Sequence, residues 1–479
     1  MPPDILSLLE HDAELDAALP FIDLASRYFM RTREGSGPVS TALGSPDIAR
    51  RFDEPLPRAG RTLSEVAARV ERDVMSDMNR LMHPMYIGHQ VSAPLPVAVW
   101  MEAVIGAMNQ SVAVAEMSPT ATVVESQLVR WMTDLIGWSG GAGGTFTSGG
   151  TEATFTALLA ARAAAMPDAW EHGVGAHPPV VVCGEHAHYA VTRAVAQLGL
   201  GHKRAVAVSS RDWRMDPEAL AGTLDRLADE GTRVMAVVAT AGSTATGSFD
   251  DLSVIGPLCT ARGLWLHVDG AHGASALLSE VHRGRLRGIE HARSVAWDAH
   301  KMMLMPLGAG MLLVRDEHDL ERAFAQQAPY LFHGAEEGRL WDQGTRSFLC
   351  SRRADALKVW AALQRYGADA FGALYDRLCA TAQALHEAAC AHPEFQPLHE
   401  PESNILCFRW VGDGSRDDVA LDALNLELRE RYNQGGRGWI TTTILGGRRV
   451  LRATVMNPRT TARHVTRMLD GLAEEAAAL

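Results

Sequence analysis

Between about residue 140 and residue 314 the sequence alternates short β-branched runs with amphipathic segments, and this alternation constrains the fold most. The runs typical of strands are 179–183, 204–208, 233–240, 264–269, 294–297 and 310–314. Apolar residues at helical spacing occur between several of them, at 152–165, 188–198, 217–230 and 252–262. Such alternation predicts an α/β fold with a largely parallel sheet flanked by helices. Ligands of such sheets bind beyond the carboxyl ends of the strands.

The regions on either side of this segment have different patterns. Residues 1–140 look helical, and the spacing predicts helices over 62–82, 96–117 and 122–138. Thr62 and Glu65 form a capping-box pattern at the start of the first of these. Residues 33–52 predict a surface loop. After residue 350 a long helical stretch leads to a small α+β unit, with strands at 404–410, 439–445 and 449–456 and a helix at 460–478.

The composition narrows the class of protein. The 479 residues carry a formal net charge of -12, which argues against a nucleic-acid partner because phosphate needs a basic surface. Six cysteines form no C-x-x-C pair and predict reduced thiols of an intracellular protein. The acidic N-terminus predicts no signal peptide, and no run approaches the roughly 20 apolar residues of a membrane span. We therefore expect a cytoplasmic protein with no membrane partner.

Small residues between a strand or turn and a helix form the first candidate site. Ser148, Gly149, Gly150 and Thr151 precede a helical pattern that runs to residue 165. Free N–H groups and the helix dipole make such a helix start an anion site, and glycines let a phosphate approach closely. The alternative is a helix capped by Thr151 after a flexible loop. The segment is not a Walker loop, because no Gly-Lys-Ser/Thr follows.

An acid and a lysine follow at the ends of later strands. Asp269 ends an apolar strand, where a carboxylate is costly unless it meets a cation, although a capping aspartate is the alternative. Gly270 and Ala271 are small enough for a flat ring to lie against them. Lys301 stands in an apolar segment, and a lysine kept partly out of water is easier to deprotonate and can condense with a carbonyl. His300 beside it can reach an anion.

The candidate residues together suggest one cofactor. His188 begins a helix after a strand, where it either stacks on an aromatic ring or is a polar residue at a helix start. The anion loop, the buried acid and the lysine come in chain order at strand ends. Pyridoxal 5'-phosphate needs a phosphate cradle, a carboxylate on its ring nitrogen and a Schiff-base lysine. The sequence therefore predicts pyridoxal phosphate and no metal.

Several ordered motifs carry a family resemblance that extends from about Thr62 to Leu472. The chain resembles the group II pyridoxal-phosphate-dependent decarboxylases of fold type I, which include glutamate, cysteine-sulfinate, 2,4-diaminobutyrate and aromatic-amino-acid decarboxylases. The motifs that carry it are HP (83–84), SPTATVVE (118–125), TSGGTEAT (147–154), HAHYAVTRA (186–194), ATAGSTATGSFDDL (239–252), HVDGAHG (267–273), DAHK (298–301), CSRRADALKVW (350–360) and VLRATVMNP (450–458).

The resemblance implies a function for each matching residue. Lys301 would form the Schiff base and Asp269 would pair with the ring nitrogen. His188 would lie on one ring face and Ala271 on the other. The phosphate would be held by Gly149, Gly150, Thr151 and His300, with Thr244 near the ring hydroxyl and the substrate carboxylate, and Arg452 gripping the α-carboxylate.

The resemblance also implies the organisation of the chain and its reaction. We expect a homodimer in which residues 1–95 wrap the partner subunit, residues 96–365 form the large cofactor-binding domain, and residues 366–479 form a small α+β domain. The reaction would be decarboxylation of an L-amino acid to its amine and carbon dioxide. The loop and the 350–360 motif resemble the glutamate, cysteine-sulfinate and diaminobutyrate branch, which predicts a small polar or short-chain substrate. The segment 83–94 would contribute to the substrate pocket, with His89 where glutamate decarboxylases carry a glutamine.

The chain departs from the family in a loop near residues 330–350. Relatives carry a tyrosine there that protonates the reaction intermediate, but the matching positions are Glu337–Gly338 or Gln343, depending on alignment. Tyr330 lies at the loop base and His333 within it. Our hypothesis is that His188, His333 or a water supplies the proton, or that the intermediate is diverted to oxidative deamination or transamination.

The sequence also allows other functions than an amino-acid decarboxylase. A different pyridoxal-phosphate enzyme is one alternative: an aminotransferase, a cysteine-desulfurase-like lyase or an aldehyde synthase. A metallohydrolase could use His267, Asp269, His272 and His300, because histidines and acids near strand ends can bind zinc. No H-E-x-x-H motif supports it. A catalytically inactive homologue that serves as a binding partner is disfavoured by the intact lysine.

Overall fold

The computed structural model describes residues 5–41, 43–325 and 341–479. The chain divides into two compact units. The first unit contains Met1–His89, Ala384–Leu398 and Phe408–Leu479, and the second contains Gln90–Gln383 and His399–Cys407. Tyr330, His333, Glu337 and Gly338 lie outside the described residues. In the part of the chain that is described, no helix is both long and apolar enough to cross a membrane.

The second unit is built on a sheet that, within the described residues, has seven strands. Their order is β1-β9-β8-β7-β6-β2-β3. β9 is antiparallel to both its neighbours, and the remaining neighbours pair in parallel, as predicted. The short hairpin β4–β5 lies outside this sheet. The strands are β1 (Gly143–Thr147), β2 (Val180–Gly184), β3 (Ala205–Val208), β4 (Ser210–Arg211), β5 (Arg214–Met215), β6 (Val234–Thr240), β7 (Trp265–Asp269), β8 (Ser294–Asp298) and β9 (Gly310–Val314).

Helices pack against this sheet through small and aliphatic side chains. Ala153 and Ala157 of the helix Gly150–Ala165 are fully buried against Ala296 and Leu312 of the sheet. Alanine lets the helix axis come close to the strands, which keeps the start of this helix next to the strand ends. The other helices are Pro96–Met108, Pro119–Ile136, Ala169–His172, Ala190–Gln197, Pro217–Asp229, Leu252–Ala261, His318–Ala323, Ala356–Tyr366 and Ala368–Ala391, the last of which continues into the first unit.

The first unit combines helices with most of a smaller sheet. Within the described residues this sheet has four strands, in the order β10-β11-β13-β12: β10 (Phe395–Pro397), β11 (Ile405–Trp410), β12 (Thr441–Leu445) and β13 (Arg448–Thr454). β11 begins in the second unit, to which residues 405–407 belong, and continues into the first. β11, β12 and β13 match the prediction, and β10 was not predicted. The helices are Ile5–Asp12, Leu15–Arg33, Ser45–Arg51, Leu63–Arg69, Asp418–Gln434 and Ala462–Ala477.

Three N-terminal predictions were wrong in their extent. The helix predicted over 62–82 begins with the expected Thr62–Glu65 capping box, but its α-helical part ends at Arg69 and only π and 3-10 turns continue to Asp77. The next residues bond elsewhere, since the Arg80 N–H donates to the Val39 carbonyl. The helix predicted over 96–117 stops at Met108, because Asn109 caps it with a φ of 45°. The loop predicted over 33–52 contains the short helix Ser45–Arg51.

Candidate active site

The carboxyl ends of six strands of the second unit, all those of the seven-stranded sheet except β9, lie at one edge of the sheet. β1 and β8 run in the same direction because each is antiparallel to β9. A cavity of about 530 Å³ opens at this edge. All the residues expected to touch the cofactor line it: Gly149, Gly150, Thr151, His188, Thr244, Asp269, Ala271, His300 and Lys301.

One side of the cavity is bare backbone. Gly149 has a φ of 157° and a ψ of -179°, a conformation that favours glycine, and Gly150 begins the helix Gly150–Ala165. A Cβ atom on Gly150 would lie 2.8 Å from the Cβ of Ala271, so no side chain fits there. No side chain of Gly149 or Gly150 covers the first N–H groups of the helix, and their partial positive charge favours an anion. The Gly150 N–H already interacts with the Asp298 carboxylate.

Lys301 follows β8 and lies beside a buried carboxylate. Its Nζ is 3.4 Å from Asp298 Oδ2, and the same oxygen lies 3.3 Å from His300 Nε2. Lys301 is partly exposed to the cavity, whereas Asp298 is fully buried. An amine held in this way lies where an aldehyde in the cavity could reach it.

The loop that follows Lys301 is anchored by hydrogen bonds. The Ser92 hydroxyl donates to the carbonyls of His300 (3.1 Å) and Met305 (3.2 Å), and the Leu95 N–H donates to the Leu304 carbonyl at 2.9 Å. Leu304 is buried with a φ of 56°, which costs about 1–3 kcal/mol in a residue other than glycine. These bonds hold the strained backbone close to the lysine in one conformation.

Asp269 and His188 face the same cavity. Asp269 is buried at the end of β7, and the Ala271 N–H donates to its Oδ1 at 3.3 Å. Burial lowers the pKa of His188; the Asp269 charge opposes this shift and the Lys301 charge adds to it. The imidazole is therefore mainly neutral at neutral pH, as a ring that stacks on an aromatic cofactor should be.

A buried hydrogen-bond chain adjoins Asp269. The Trp265 indole donates to Ser294 Oγ at 2.8 Å, and the same hydroxyl is hydrogen-bonded to His267 Nδ1 at 2.9 Å. Burial lowers the pKa of His267 to about 4, which keeps it neutral. Among the described residues no three histidines, cysteines or acids are grouped so that they could hold a metal ion.

The two expected substrate-binding residues, His89 and Arg452, lie in the first unit. Arg452 is buried, and its Nη1 lies 3.4 Å from both the Gly88 carbonyl and Thr441 Oγ1. Burial lowers the pKa of His89, and the positive charges of Arg452 and Arg429 lower it further. Gln343, one candidate position for the missing tyrosine, is buried in the second unit near Ser126.

Among the residues that line the cavity, sequence reasoning gave Asp298 and Gln90 no function of their own. Asp298 ends β8 as Asp269 ends β7, so its position at a strand end three residues before Lys301 was an available signal. Gln90 lies in the segment 83–94 that we expected to contribute to the substrate pocket, but nothing distinguished it from its neighbours in this irregular part of the chain. Within the described part of the chain, its buried Nε2 has no hydrogen-bond partner.

These residues fit pyridoxal phosphate. The uncovered helix start suits a phosphate, the buried Asp269 suits a protonated ring nitrogen, and Ala271 leaves room for a flat ring. Lys301 supplies the amine for the aldehyde. The sheet order and this set of side chains define a pyridoxal-phosphate enzyme of fold type I.

The chain belongs to the pyridoxal-dependent decarboxylase family, whose conserved domain matches residues 46–411. It is 37% identical to L-2,4-diaminobutyrate decarboxylase of Rhizobium meliloti (strain 1021) over 88% of this chain and 84% of that protein. It is 32% identical to cysteine sulfinic acid decarboxylase of Mus musculus over 76% of this chain and 74% of that protein. The protein is therefore a pyridoxal-phosphate-dependent amino-acid decarboxylase.

The fold comparison agrees with the sequence comparison. One similar solved structure is the glutamate decarboxylase domain of diaminobutyrate-pyruvate transaminase and L-2,4-diaminobutyrate decarboxylase from Vibrio parahaemolyticus. It has a TM-score of 0.86 and 28% identity, and the match covers 98% of this chain and 96% of that one.

Proposed function

We propose that this enzyme decarboxylates a small polar L-amino acid, with Lys301 as the residue that binds the cofactor covalently. The observation that carries the proposal is the single cavity that joins the Lys301 amine, the buried Asp269 carboxylate and the uncovered start of the helix Gly150–Ala165. Gly149, Gly150, Thr151 and His300 would hold the phosphate, and Thr244 would contact the ring hydroxyl.

Each side chain then has one task. When bound, pyridoxal phosphate supplies a conjugated ring that accepts the electron pair of the bond to the departing carboxylate. Asp269 keeps a proton on the ring nitrogen by offering a buried negative charge. His188 and Ala271 would hold the ring between them, and Lys301 would supply the amine that binds the aldehyde in the absence of substrate.

The proton that replaces the carboxylate needs a donor. His188 lines the cavity, and because burial lowers its pKa, the imidazole gives up a proton readily whenever it is protonated. His333 is the other side chain we propose, and it lies outside the described residues. Without a tyrosine at Gln343, diversion of the intermediate to an aldehyde or a transamination product is the second candidate reaction.

Support for a polar substrate comes from the relatives and from one side chain of the cavity. The relatives are named for diaminobutyrate and cysteine sulfinate, both short polar amino acids. Gln90 offers a buried amide with an unpartnered Nε2 among the described residues, which a polar substrate group could bind. We propose that Arg452 binds the α-carboxylate and that His89 adjoins the substrate side chain.

A substrate screen tests the proposal. The holoenzyme is incubated with the twenty common amino acids, 2,4-diaminobutyrate, ornithine and cysteine sulfinate while carbon dioxide, amine, ammonia and peroxide are measured. We expect carbon dioxide and amine in equal amounts from a short polar substrate. Ammonia and peroxide in place of amine would identify the diverted reaction, and carbon dioxide from aromatic substrates alone would contradict the proposed substrate class.

We also propose a homodimer in which residues 1–95 contact the partner. The helix Ile5–Asp12 has no buried residue, and Leu6, Leu9 and Leu15 are each more than half exposed. Exposed apolar surface of this extent favours a protein contact. Sedimentation should give twice the mass of the chain, and a monomer at micromolar concentration would contradict this. The cytoplasmic location stays a prediction; all six cysteines are free thiols.

A further inference from the structure

Asp298 is the most enclosed charge in the cavity wall. Its side chain is fully buried at the end of β8, and its Oδ2 lies close to both Lys301 Nζ (3.4 Å) and His300 Nε2 (3.3 Å). A Cβ atom on Gly310 would lie 2.7 Å from Oδ1, and one on Gly150 would lie 3.2 Å from Oδ2. Glycine backbone therefore encloses the carboxylate on two sides.

The protonation of His300 follows from its neighbours. The Ala309 N–H points to His300 Nδ1 at 3.3 Å, so Nδ1 accepts a hydrogen bond. The ring proton then lies on Nε2, next to Asp298 Oδ2. Both ring nitrogens are thus used within the chain, although His300 is a proposed phosphate ligand.

At the start of the helix Gly150–Ala165, a backbone N–H proposed for the phosphate also has a partner within the chain. The Gly150 N–H interacts with the Asp298 carboxylate. Burial raises the pKa of Asp298, but the Lys301 charge, the hydrogen bond from the His300 side chain and this N–H together outweigh burial and lower it. The carboxylate is therefore negatively charged and already interacts with two of the donors that an incoming phosphate would use.

We propose that Asp298 is a positioning residue: its carboxylate holds Lys301, His300 and the Gly150 N–H in the cofactor-free enzyme and competes with the cofactor phosphate for His300 and Gly150. The inference rests on the proposed phosphate site. His188 and Asp269 also face this cavity, so the titratable groups around Asp298 are Lys301, His300, His188 and Asp269. Two anions near one set of donors repel each other.

The variant Asp298→Asn keeps the shape of the side chain and removes its charge. We expect the cofactor-free variant to melt at a lower temperature than wild type, because Lys301 loses its buried partner. We expect inorganic phosphate to bind the variant about tenfold more tightly, the effect of one unit of altered electrostatic interaction. Phosphate affinity is read from the rise in melting temperature with phosphate concentration, and pyridoxal phosphate affinity from absorbance titration.

Asp319→Asn is the matched control. Asp319 is equally buried and pairs with Arg293, which precedes β8 and so lies away from the cavity edge. This variant should also lower the melting temperature but leave phosphate affinity unchanged. If Asp298→Asn does not fold, the smaller neutral variant Asp298→Ser should show the same tighter binding.

Phosphate binding by the Asp298 variants tests this inference, and hydrogen exchange in the wild type with phosphate tests the proposed phosphate site. Phosphate has no aldehyde, so its binding does not depend on Lys301 chemistry. Unchanged or weaker phosphate binding by the folded Asp298 variants would overturn the inference, even with an active wild type. If phosphate binds the wild type but does not slow hydrogen exchange of the Gly149 and Gly150 N–H groups, the proposed phosphate site is wrong.

Discussion

Replacing Lys301 with alanine should reduce carbon dioxide release by roughly 10⁴-fold or more, the scale on which loss of a covalent nucleophile acts in other enzymes. The variant loses the amine that we propose binds the aldehyde. It should still bind pyridoxal phosphate through the glycine loop and Asp269, but the bound cofactor should absorb as a free aldehyde. Absorbance spectroscopy and a carbon dioxide assay on the same sample check both statements.

The covalent attachment at Lys301 is simple to test because the chain contains few lysines. The sequence contains three lysines: Lys203, Lys301 and Lys358. Lys203 is exposed, and Lys358 is fully buried with its Nζ bound to Glu102, Asp355 and the Leu307 carbonyl. Borohydride reduction of the holoenzyme followed by peptide mapping should label Lys301 alone.

Lys203→Ala is the control, and it should retain full activity and the wild-type spectrum. Label on Lys203 or Lys358 with an unmodified Lys301 would refute the assignment. So would a Lys301→Ala variant that keeps more than a tenth of the wild-type rate.

Replacing Asp269 with asparagine should lower kcat by roughly 10²- to 10³-fold, the usual effect of losing one preorganised electrostatic contact at a reacting centre. Asparagine keeps the size of the side chain but cannot balance a proton on the ring nitrogen. The ring then becomes a weaker electron acceptor. Steady-state rates and the pH dependence of the cofactor spectrum measure the change.

Asp269→Glu separates charge from packing. Glutamate restores the carboxylate, so it should recover part of the rate, whereas a purely structural effect would leave both variants equally impaired. Asp269→Asn with normal kcat and an unchanged spectral pKa would exclude the proposed pairing with the ring nitrogen.

Much of the second unit could be predicted from sequence because its signals are local. Parallel strands buried on both faces are continuous apolar runs, so the predicted runs such as 264–269 and 310–314 differ from β7 and β9 by at most one residue. Thr62 and Glu65 formed their capping box because this motif needs only four consecutive residues.

The errors come from contacts distant in sequence. Nothing between residues 70 and 82 breaks a helix, yet Arg80 bonds to Val39 and the α-helix ends early. β10 has only three residues, which is too short for an alternating pattern to indicate a strand. Residues 399–407 belong to the second unit although they lie between segments of the first, which no local pattern reveals.

In the candidate site, too, residues with a local sequence signal could be predicted and residues that depend on distant contacts could not. Motif residues at strand ends, such as Asp269 and Lys301, could be named because parallel strands share one edge. Asp298 was overlooked because its importance depends on two neighbours that fold against one of its oxygens. Only the structure singled out Gln90 from its segment, by placing it in the cavity wall.

The anchored loop after Lys301 determines how that residue can move during a reaction cycle. The hydrogen bonds of Ser92 and Leu95 and the left-handed backbone of Leu304 fix the main chain here. The Cα atom of Lys301 therefore serves as a stationary pivot. The ammonium group can then change position only by rotation about the four methylene carbons. Its travel is restricted to an arc a few ångströms wide, and the amine returns to the same place after each turnover without any refolding of the polypeptide.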